Sequence, residues 1–506
     1  MLEPPPPRRL VVVSNRLPLV LTRDADGRLV GRPSGGGLVT ALLPVLRDRG
    51  GVWIGWPGIV DHDDEVKAAL VGAAETAGYR LAPVALSAQD EAGFYFGFSN
   101  EVLWPLFHDL QSLCNFDPAY WRSYCDANHK YAQVVVAETA ADDFIWVHDY
   151  HLLPLASELR RAGVTAPVAF FLHTPFPPLD IYLKLPWRFA LLRALLDYDL
   201  IGFQTLRDQR NFTQCLRALL REVRLTNRAG MAHLPDGRDV RIGAFPIGID
   251  ANAFQRQASS PTVQAAVDAM HAELPNRELI LGVDRLDYTK GIPLRLEAFR
   301  TTLRRHPELQ KRITLIQVVV PSRDDIPEYR DLKTRIEQLV GEINGEFTRP
   351  GGRWVPIHYI YRALDRLDLI AYYRAARIAL VTPLKDGMNL VAKEFCACSV
   401  DEDGVLILSE FAGAAAQLQH GALLVNPYDL EGTADAIYRA CNMPQSERQA
   451  RMRVLRRAVS RQDVFRWVNS FLEAAIASDL DAFPLPDDYL PSAEAETAYW
   501  QTEFAE

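Results

Sequence analysis

A short stretch with a carboxylate at each end gives the most direct indication of chemistry in this chain. It runs from Asp386 to Glu394 and reads Asp-Gly-Met-Asn-Leu-Val-Ala-Lys-Glu, after the strand-like apolar run Ile378 to Leu384. A strand, a glycine-containing turn and a helix start direct backbone N–H groups and the positive helix end at one point, where a phosphate can bind. Carboxylates beside that point can accept hydrogen bonds from hydroxyl groups, so the stretch fits a nucleotide sugar. An ordinary strand-to-helix turn with solvated acids is the alternative.

Two basic residues follow another predicted strand. Arg285 and Lys290 lie in the segment Val-Asp-Arg-Leu-Asp-Tyr-Thr-Lys-Gly, which begins at Val283. Arginine binds two phosphate oxygens through its planar fork, and lysine adds a compact charge beside it. Together they would neutralise a diphosphate leaving group without a metal ion. The alternative is a solvated turn in which Asp284 and Asp287 pair with the two cations.

A second possible basic pair comes from the two halves of the chain. Arg16 ends the strand-like run that begins at Leu10, and Arg323 follows the apolar run Ile313 to Val320. If a cleft closes between the halves, both arginines can reach one phosphate of a second substrate. Two unrelated surface arginines are the alternative that spacing alone leaves open.

Two histidine motifs also follow predicted strands. The first contains His148, Asp149 and His151, and the second contains His173 directly before a proline-rich turn. Three metal ligands crowded at one strand end seldom converge on one ion. We therefore predict no metal site, but a neutral histidine and a carboxylate that bind sugar hydroxyl groups. His173 could equally be a hydrogen-bonded core histidine.

Aromatic and glycine residues complete the set of candidates. Tyr95 and Trp104 present apolar faces against which sugar rings can lie, although core packing would explain them as well. The glycine-rich turn Ser34 to Gly37 separates a strand from a helix-like stretch, an arrangement that can cradle a phosphate. Its spacing matches neither a dinucleotide fingerprint nor a P-loop, so a plain turn is the alternative.

Alternating apolar runs and helix-like segments must position these residues. One series of buried runs extends from Leu10 to Ile249, and a second extends from Leu279 to Val425. This alternation predicts an α/β fold with two doubly wound halves, whose ligands bind at the carboxyl ends of the strands in a cleft between them. We place an N-terminal domain at 1–250 and a C-terminal domain at 251–465. The helix and tail at 466–506 are expected to pack back on the N-terminal domain.

Composition narrows the class of protein. A chain of 506 residues exceeds one core, and its net charge of −9 does not favour binding to nucleic acid or to an anionic membrane. No apolar run reaches the ~18 residues that a membrane span needs, and the start of the chain lacks the apolar middle of a signal peptide. The six cysteines include one close pair, Cys396 and Cys398, without a second pair to complete a zinc site. We expect reduced thiols and a cytoplasmic protein.

Taken together, these motifs resemble the trehalose-6-phosphate synthases, a family of retaining glucosyltransferases with the two-Rossmann-domain fold called GT-B. The resemblance extends from about Leu10 to about Leu472. It rests on these segments: Val11 to Arg16, Ser34 to Leu38, Trp53 to Trp56, Ser99 to Phe107, Trp146 to Leu153, Phe170 to Pro177, Arg285 to Gly291, Ser322 and Arg323, Thr382 to Glu394, Ser409 to Gly413 and Val425 to Tyr428.

The resemblance implies a role for each candidate on the donor side. Glu394 would hold the ribose hydroxyls, Asp386 a hydroxyl of the donor glucose, and His173 its 6-hydroxyl. Met388 belongs to the same donor-binding stretch. The residues that would hold the diphosphate, through side chains or backbone N–H groups, are Gly37, Arg285, Lys290, Asn389 and Leu390.

The acceptor side and the catalytic set are implied in the same way. The two arginines would bind the phosphate of glucose 6-phosphate in a site made of Arg16, Tyr95, Trp104, Asp149 and Arg323. The implied catalytic residues are Asp149, His173, Arg285 and Lys290.

The reaction implied by the resemblance moves glucose from a nucleoside diphosphate to the anomeric hydroxyl of glucose 6-phosphate, with retention and without a cofactor. The family suggests UDP-glucose as donor and a dimer or tetramer, although the residues do not distinguish uracil from adenine or guanine. The sequence offers no carboxylate pair like that of retaining glycosidases, so we expect front-face attack within an ion pair. Two alternatives stay open: transfer to glycerol 3-phosphate, or a catalytically silent sugar-phosphate sensor. No phosphatase activity is expected, because Asp479 and Asp481 lack the Thr or Val that follows in that motif.

Overall fold

The computed structural model describes residues 9–23, 26, 29–33, 39, 42, 46, 51–60, 64–77, 79–226, 230–322, 326–349, 351–477, 479–481 and 483–491. Two of the predicted site residues, Gly37 and Arg323, lie outside these ranges, as does most of the predicted helix Leu38 to Arg49.

The first half of the chain builds a sheet that is mainly parallel. In the described ranges its strand order is β5-β4-β1-β6-β7-β8-β11-β10-β9, with antiparallel pairing only at β10 and β9. Strands β2 and β3 form a separate hairpin. The bounds are β1 Leu10–Arg16, β2 Leu19–Arg23, β3 Leu29–Pro33, β4 Gly51–Trp56, β5 Arg80–Pro83, β6 Phe144–His148, β7 Val168–Phe171, β8 Leu200–Phe203, β9 Arg224–Leu225, β10 Met231–His233 and β11 Asp239–Ala244.

The second half builds a fully parallel sheet among the described residues. Its strands are β12 Glu278–Arg285, β13 Ile313–Val320, β14 Ile357–Tyr361, β15 Ile378–Val381, β16 Val405–Ser409 and β17 Leu423–Val425. Their order is β14-β13-β12-β15-β16-β17, which is the Rossmann order. The order reverses between β12 and β15, so a ligand is expected at the carboxyl ends of these two strands.

Helices cover the sheets, and many begin at a side chain that accepts a hydrogen bond from the first turn, such as Thr205, Ser260 and Asp463. A π-helix, Glu91–Leu103, precedes one of them. The helix bounds are Asp64–Ala77, Ala88–Asp90, Trp104–Phe107, Pro118–Glu138, Leu155–Arg161, Leu179–Tyr182, Arg188–Leu195, Leu206–Leu219, Ala251–Ala258, Pro261–Glu273, Ile292–Arg305, Pro327–Phe347, Arg366–Ala375, Leu390–Cys398, Ala415–Leu418, Leu430–Asn442, Gln445–Arg461 and Val464–Ile476. No helix in the described ranges is long and apolar enough to cross a membrane.

The last helix, Val464–Ile476, packs on the first sheet rather than on the second. Phe471 stacks on Trp146 of β6 with ring centroids 4.3 Å apart. The Arg241 guanidinium of β11 donates hydrogen bonds to the carbonyl oxygens of Ala474 and Ala475, at 2.8 and 3.0 Å. The chain therefore returns to its N-terminal half near its end. The predicted domain boundaries at 250 and 465 stay predictions.

Sequence patterns locate most of the parallel strands, but the edge strand β5 is not among the predicted apolar runs, and β15 needs a correction. The apolar run Ile378 to Leu384 is not all strand, because β15 ends at Val381. The next residues leave the strand and contact the segment that follows β12: the Thr382 hydroxyl accepts a hydrogen bond from Arg295, and the Leu384 N–H donates to the carbonyl oxygen of Thr289. The six cysteines are not paired with one another in the fold, and four of them are buried.

Candidate functional site

The loop after β12 presents two cations at the switch point. Arg285 is the last residue of β12 and is exposed, and Lys290 is buried at the end of the short turn Tyr288–Lys290. The Asp287 carboxylate holds this turn by accepting hydrogen bonds from the backbone N–H and the hydroxyl of Thr289, at 2.9 and 2.8 Å. Asp284 forms a buried ion pair with Arg295. The alternative in which Asp284 neutralises the neighbouring Arg285 is therefore wrong.

The loop after β15 places Asp386 against the first loop. Lys290 Nζ lies 2.6 Å from Asp386 Oδ2, and the Asn389 side-chain amide donates to the same oxygen over 3.2 Å. Burial alone would raise the pKa of Asp386, but Lys290 and Asn389 hold it below its usual value. Asp386 is therefore an anion at neutral pH.

Asn389 is the N-cap of the helix Leu390–Cys398. Asn389 has φ 75°, a conformation that favours glycine, and its Oδ1 accepts a hydrogen bond from the Ala392 N–H over 3.1 Å. Met388 is buried behind the turn, and Leu390 is the first helical residue. The backbone is thus held where its first N–H groups can meet an anion.

Glu394 lies inside this helix rather than at its end. The Tyr373 hydroxyl donates to Glu394 Oε2 over 2.7 Å. Burial raises the pKa of Glu394, although the Tyr373 hydrogen bond opposes the change. No hydrogen bond in the described ranges joins Glu394 to Lys290, Asp386 or Asn389, so it forms a separate part of the site.

Asp149 and His173 form the facing wall, at the carboxyl ends of β6 and β7. The Asp149 carboxylate accepts a hydrogen bond from the His173 backbone N–H over 3.3 Å. Burial raises the pKa of Asp149 to about 6, even though Arg285 and backbone N–H groups favour the anion. Asp149 has φ 76° and ψ 166°, a region in which residues other than glycine are strained. Burial lowers the pKa of His173 to about 3, so its ring is neutral.

Arg16 is held by aromatic rings. Its guanidinium carbon lies 3.9 Å from the centroid of the Trp56 ring and 5.2 Å from that of Tyr95. No carboxylate among the described residues pairs with Arg16. Tyr95 belongs to the π-helix Glu91–Leu103 and is partly buried. The two rings thus orient the exposed Arg16 guanidinium, and no described carboxylate neutralises it.

Three contacts bring the two walls together. The Arg285 guanidinium carbon lies 5.9 Å from the ring of Trp104, which is 6% exposed. Lys385 forms an ion pair with Asp109 of the first half. A Cβ at Gly387 would lie 2.1 Å from the carbonyl oxygen of His173, so only glycine allows this approach. Arg285 and the Asp386 stretch therefore face Trp104 and His173 across one cleft.

The cleft also contains residues that sequence patterns do not identify. His108 is buried beside Trp104, whose carbonyl oxygen lies 2.7 Å from His108 Nδ1. Burial lowers the pKa of His108 to about 4, while Asp386 and Lys290 act on it electrostatically from the other half. Lys385 directly precedes Asp386, which marks it as a possible site residue, but the sequence does not indicate that it pairs with Asp109. Within the described ranges no three His, Cys, Asp or Glu side chains converge on a metal position.

Comparison with known proteins identifies the family. A family model described as glycosyltransferase family 20 matches residues 8–476. The chain belongs to glycosyltransferase family 20. The trehalose-6-phosphate synthase of Mycobacterium marinum is 43% identical over 471 residues, which cover 92% of this chain and 93% of that protein. The trehalose-6-phosphate synthase of Mycobacterium bovis is 43% identical over 472 residues, which cover 92% and 94%.

Solved structures in glycosyltransferase family 20 extend the match to the fold. An Escherichia coli structure described as bound with UDP-2-fluoro glucose superposes with a TM-score of 0.83 at 37% identity, covering 93% of this chain and 100% of that one. A UDP-forming α,α-trehalose-phosphate synthase from Burkholderia xenovorans in complex with glucose-6-phosphate superposes with a TM-score of 0.82 at 36% identity, again covering 93% of this chain and 100% of that one. The predicted GT-B fold and the predicted family are confirmed, and the chain is a glycosyltransferase.

Proposed function

We propose that the protein moves glucose from UDP-glucose to the anomeric hydroxyl of glucose 6-phosphate with retention, giving α,α-trehalose 6-phosphate and UDP. The observation that supports this proposal most strongly is the close approach of charged residues from the second half to aromatic and acidic residues of the first half. Arg285 and the Lys290–Asp386 pair lie at the carboxyl ends of β12 and β15 in the second half, and Arg285 is near Trp104 and Asp149 of the first half. The Escherichia coli and Burkholderia xenovorans relatives, described with a UDP-sugar analogue and with glucose-6-phosphate, support this pair of substrates.

On the donor side, the cations stabilise the charge that develops as UDP leaves. The exposed Arg285 would bind diphosphate oxygens in a fork, and Lys290 would add a point charge from its preformed turn. The N-terminus of the helix Leu390–Cys398 directs its first N–H groups at the same place. Asp386 and Glu394 would bind hydroxyls of the glucose and of the ribose.

On the acceptor side, Arg16 would bind the phosphate and Asp149 a sugar hydroxyl. Asp149 is ionised at neutral pH, since its pKa of about 6 lies below that range. As the bond between the donor carbon and the diphosphate breaks, the acceptor oxygen attacks from the same face, and its proton passes to a diphosphate oxygen. The protein's contribution is then positioning and charge stabilisation.

A coupled assay of nucleoside diphosphate release tests this function. The purified protein is given UDP-, ADP- or GDP-glucose with either glucose 6-phosphate or glycerol 3-phosphate, and the product is identified by mass and anomeric configuration. We expect turnover with UDP-glucose and glucose 6-phosphate. Turnover with glycerol 3-phosphate alone would show the wrong acceptor, and binding of both substrates without UDP release would indicate a sensor. Arg285→Ala serves as the impaired reference. Its kcat/KM should fall by about 100-fold, because about 3 kcal/mol of leaving-group stabilisation is lost.

We also propose a cytoplasmic enzyme that forms a dimer or tetramer. The six free thiols support a reducing compartment. Light scattering coupled to size exclusion, at concentrations above and below that of the assay, measures the oligomeric state.

A further inference from the structure

Two histidines make contact behind the cleft. His148 ends β6 and is completely buried, and its Nδ1 lies 3.2 Å from Nε2 of His173. The register of the neighbouring strands, with His148 opposite Phe171, places His173 just beyond the end of β7. Since His148 engages Nε2 of His173, the ring nitrogen that His173 can offer to a ligand is Nδ1.

The proton positions on the two rings are coupled. Burial lowers the pKa of both histidines far below the neutral range, so each ring carries one proton. Between the two facing nitrogens, one must donate and the other must accept. If Nδ1 of His148 donates, His173 carries its own proton on Nδ1 and acts there as a donor. If Nε2 of His173 donates, its Nδ1 is bare and acts as an acceptor.

The surroundings of His148 oppose exchange between these two arrangements. Its ring lies against Trp146 and Trp467, with centroids 4.8 and 6.4 Å away. Its second ring nitrogen, Nε2, is buried and has no hydrogen-bond partner among the described residues. A switch of tautomer would require a group that delivers or removes a proton at that nitrogen, and the described residues provide none.

We propose that His148 is a positioning residue that fixes both the orientation and the tautomer of His173, so that Nδ1 meets the donor sugar in a single hydrogen-bonding role. A site that can only donate, or only accept, at one hydroxyl discriminates between sugars more strongly than one that can do either. This inference deepens the proposed function and rests on it for the identity of the ligand as a glucosyl donor.

The tautomer is measured directly by ¹⁵N NMR of protein labelled at its 11 histidines. The His173 signals are assigned by their loss in His173→Asn. In the free wild-type protein we expect one protonated and one bare nitrogen on His173, in a single tautomer that does not change between about pH 6 and 9. In His148→Phe we expect both tautomers. Trp146→Phe is the control. It alters the packing around His148 but leaves the His148 imidazole in place, so the tautomer of His173 should not change.

Kinetics supply the second measurement. His148→Phe should lower kcat/KM for UDP-glucose by about 10- to 100-fold, the range seen for lost supporting hydrogen bonds. His148→Asn keeps an amide near the place of Nδ1 and should recover most of that loss. Both tautomers of His173 in the wild type, or an unchanged single tautomer in His148→Phe, would overturn the inference. The wild-type spectrum shows whether His173 has a single tautomer even if a variant fails to fold. If the protein uses a sugar donor other than UDP-glucose, the kinetic assay fails but the spectrum of the free protein is unaffected.

Discussion

The ammonium group of Lys290 donates a hydrogen bond to Oδ2 of Asp386 over 2.6 Å, and both side chains are largely buried. Lys290 belongs to the turn after β12, and Asp386 belongs to the loop after β15, the two strands that flank the switch point. The pair therefore joins the two loops on which the donor half of the site depends. It also keeps a cation and an anion fixed at the proposed meeting point of diphosphate and sugar.

Removing the cation of this pair should impair both stability and activity. Lys290→Met leaves the Asp386 carboxylate buried without its ion-pair partner, a change that costs about 3 kcal/mol of unfolding free energy in comparable pairs. The proposed diphosphate contact is lost as well, so kcat/KM should fall by about 100-fold. Urea unfolding and the UDP-release assay measure the two effects.

A double variant separates these effects. Lys290→Met combined with Asp386→Asn removes both charges, so much of the lost stability should return while the activity stays low. If the double variant is no more stable than Lys290→Met alone, the buried charge of Asp386 is not the cause of the destabilisation.

Asp149 should make stability depend on pH in an unusual direction. Its pKa is raised from 3.8 to about 6 in the fold, so ionisation costs the folded state stability as the pH rises between these values. Asp149→Asn removes that cost and keeps Oδ1 for the His173 N–H. We expect Asp149→Asn to melt on the order of 2 °C above the wild type at pH 8, with a difference that shrinks below pH 6 and vanishes near pH 4. Calorimetry over this range measures it.

Asp386 offers a matched control with the opposite sign. Its folded pKa is lowered from 3.8, so ionised Asp386 stabilises the fold in full above the ordinary value, and this stabilisation is lost as the pH falls from there through the folded pKa. Asp386→Asn should therefore melt below the wild type at neutral pH and approach it in acid. Parallel pH dependences for Asp149→Asn and Asp386→Asn would contradict the assignment of the two carboxylates.

Sequence patterns predict the strands and the two-sheet architecture because buried parallel strands are nearly continuous apolar runs. They also predict which residues stand at strand ends, and Arg285, Asp149 and His173 stand there as expected. Local turn chemistry is less visible. The Asp386 stretch has the predicted order of strand, glycine-containing turn and helix, but the sequence does not indicate that Asn389 caps the helix in a strained conformation or that Gly387 allows the approach to His173.

Contacts between distant segments could not be predicted from one sequence. The ion pair of Lys385 with Asp109 joins residues far apart in the chain, and neither side chain carries a pattern that names the other. The same holds for His148 and His173, which are neighbours only because β6 and β7 pair in register. The functional roles assigned to the site residues stay predictions until the variants are measured.

Arg16 should not tolerate replacement by lysine. Its planar guanidinium stacks on Trp56 and lies close to Tyr95, whereas an ammonium group can neither stack in that way nor bind a phosphate in a fork. We expect Arg16→Lys to raise the KM for glucose 6-phosphate by about 10-fold with a smaller change in the KM for UDP-glucose. Arg188→Lys is the control, at an arginine whose guanidinium lies 5.0 Å from the Phe189 ring and donates to the carbonyl oxygen of Leu185. An equal rise in both KM values would argue against a phosphate contact.

The ion pair between Asp109 and Lys385 should favour the closed arrangement of the cleft. Asp109 is partly exposed and Lys385 mostly buried, so the pair is worth about 1 kcal/mol, or roughly 5-fold in the population of the closed state. Asp109→Asn, which also suits the φ of 61° at this position, should lower kcat/KM for both substrates by that factor, more at low than at high salt. The exchanged pair Asp109→Lys with Lys385→Asp should recover part of the loss. If Lys385 acted only by contacting the ligand, the exchanged pair would recover no activity, because position 385 would then carry an anion instead of a cation.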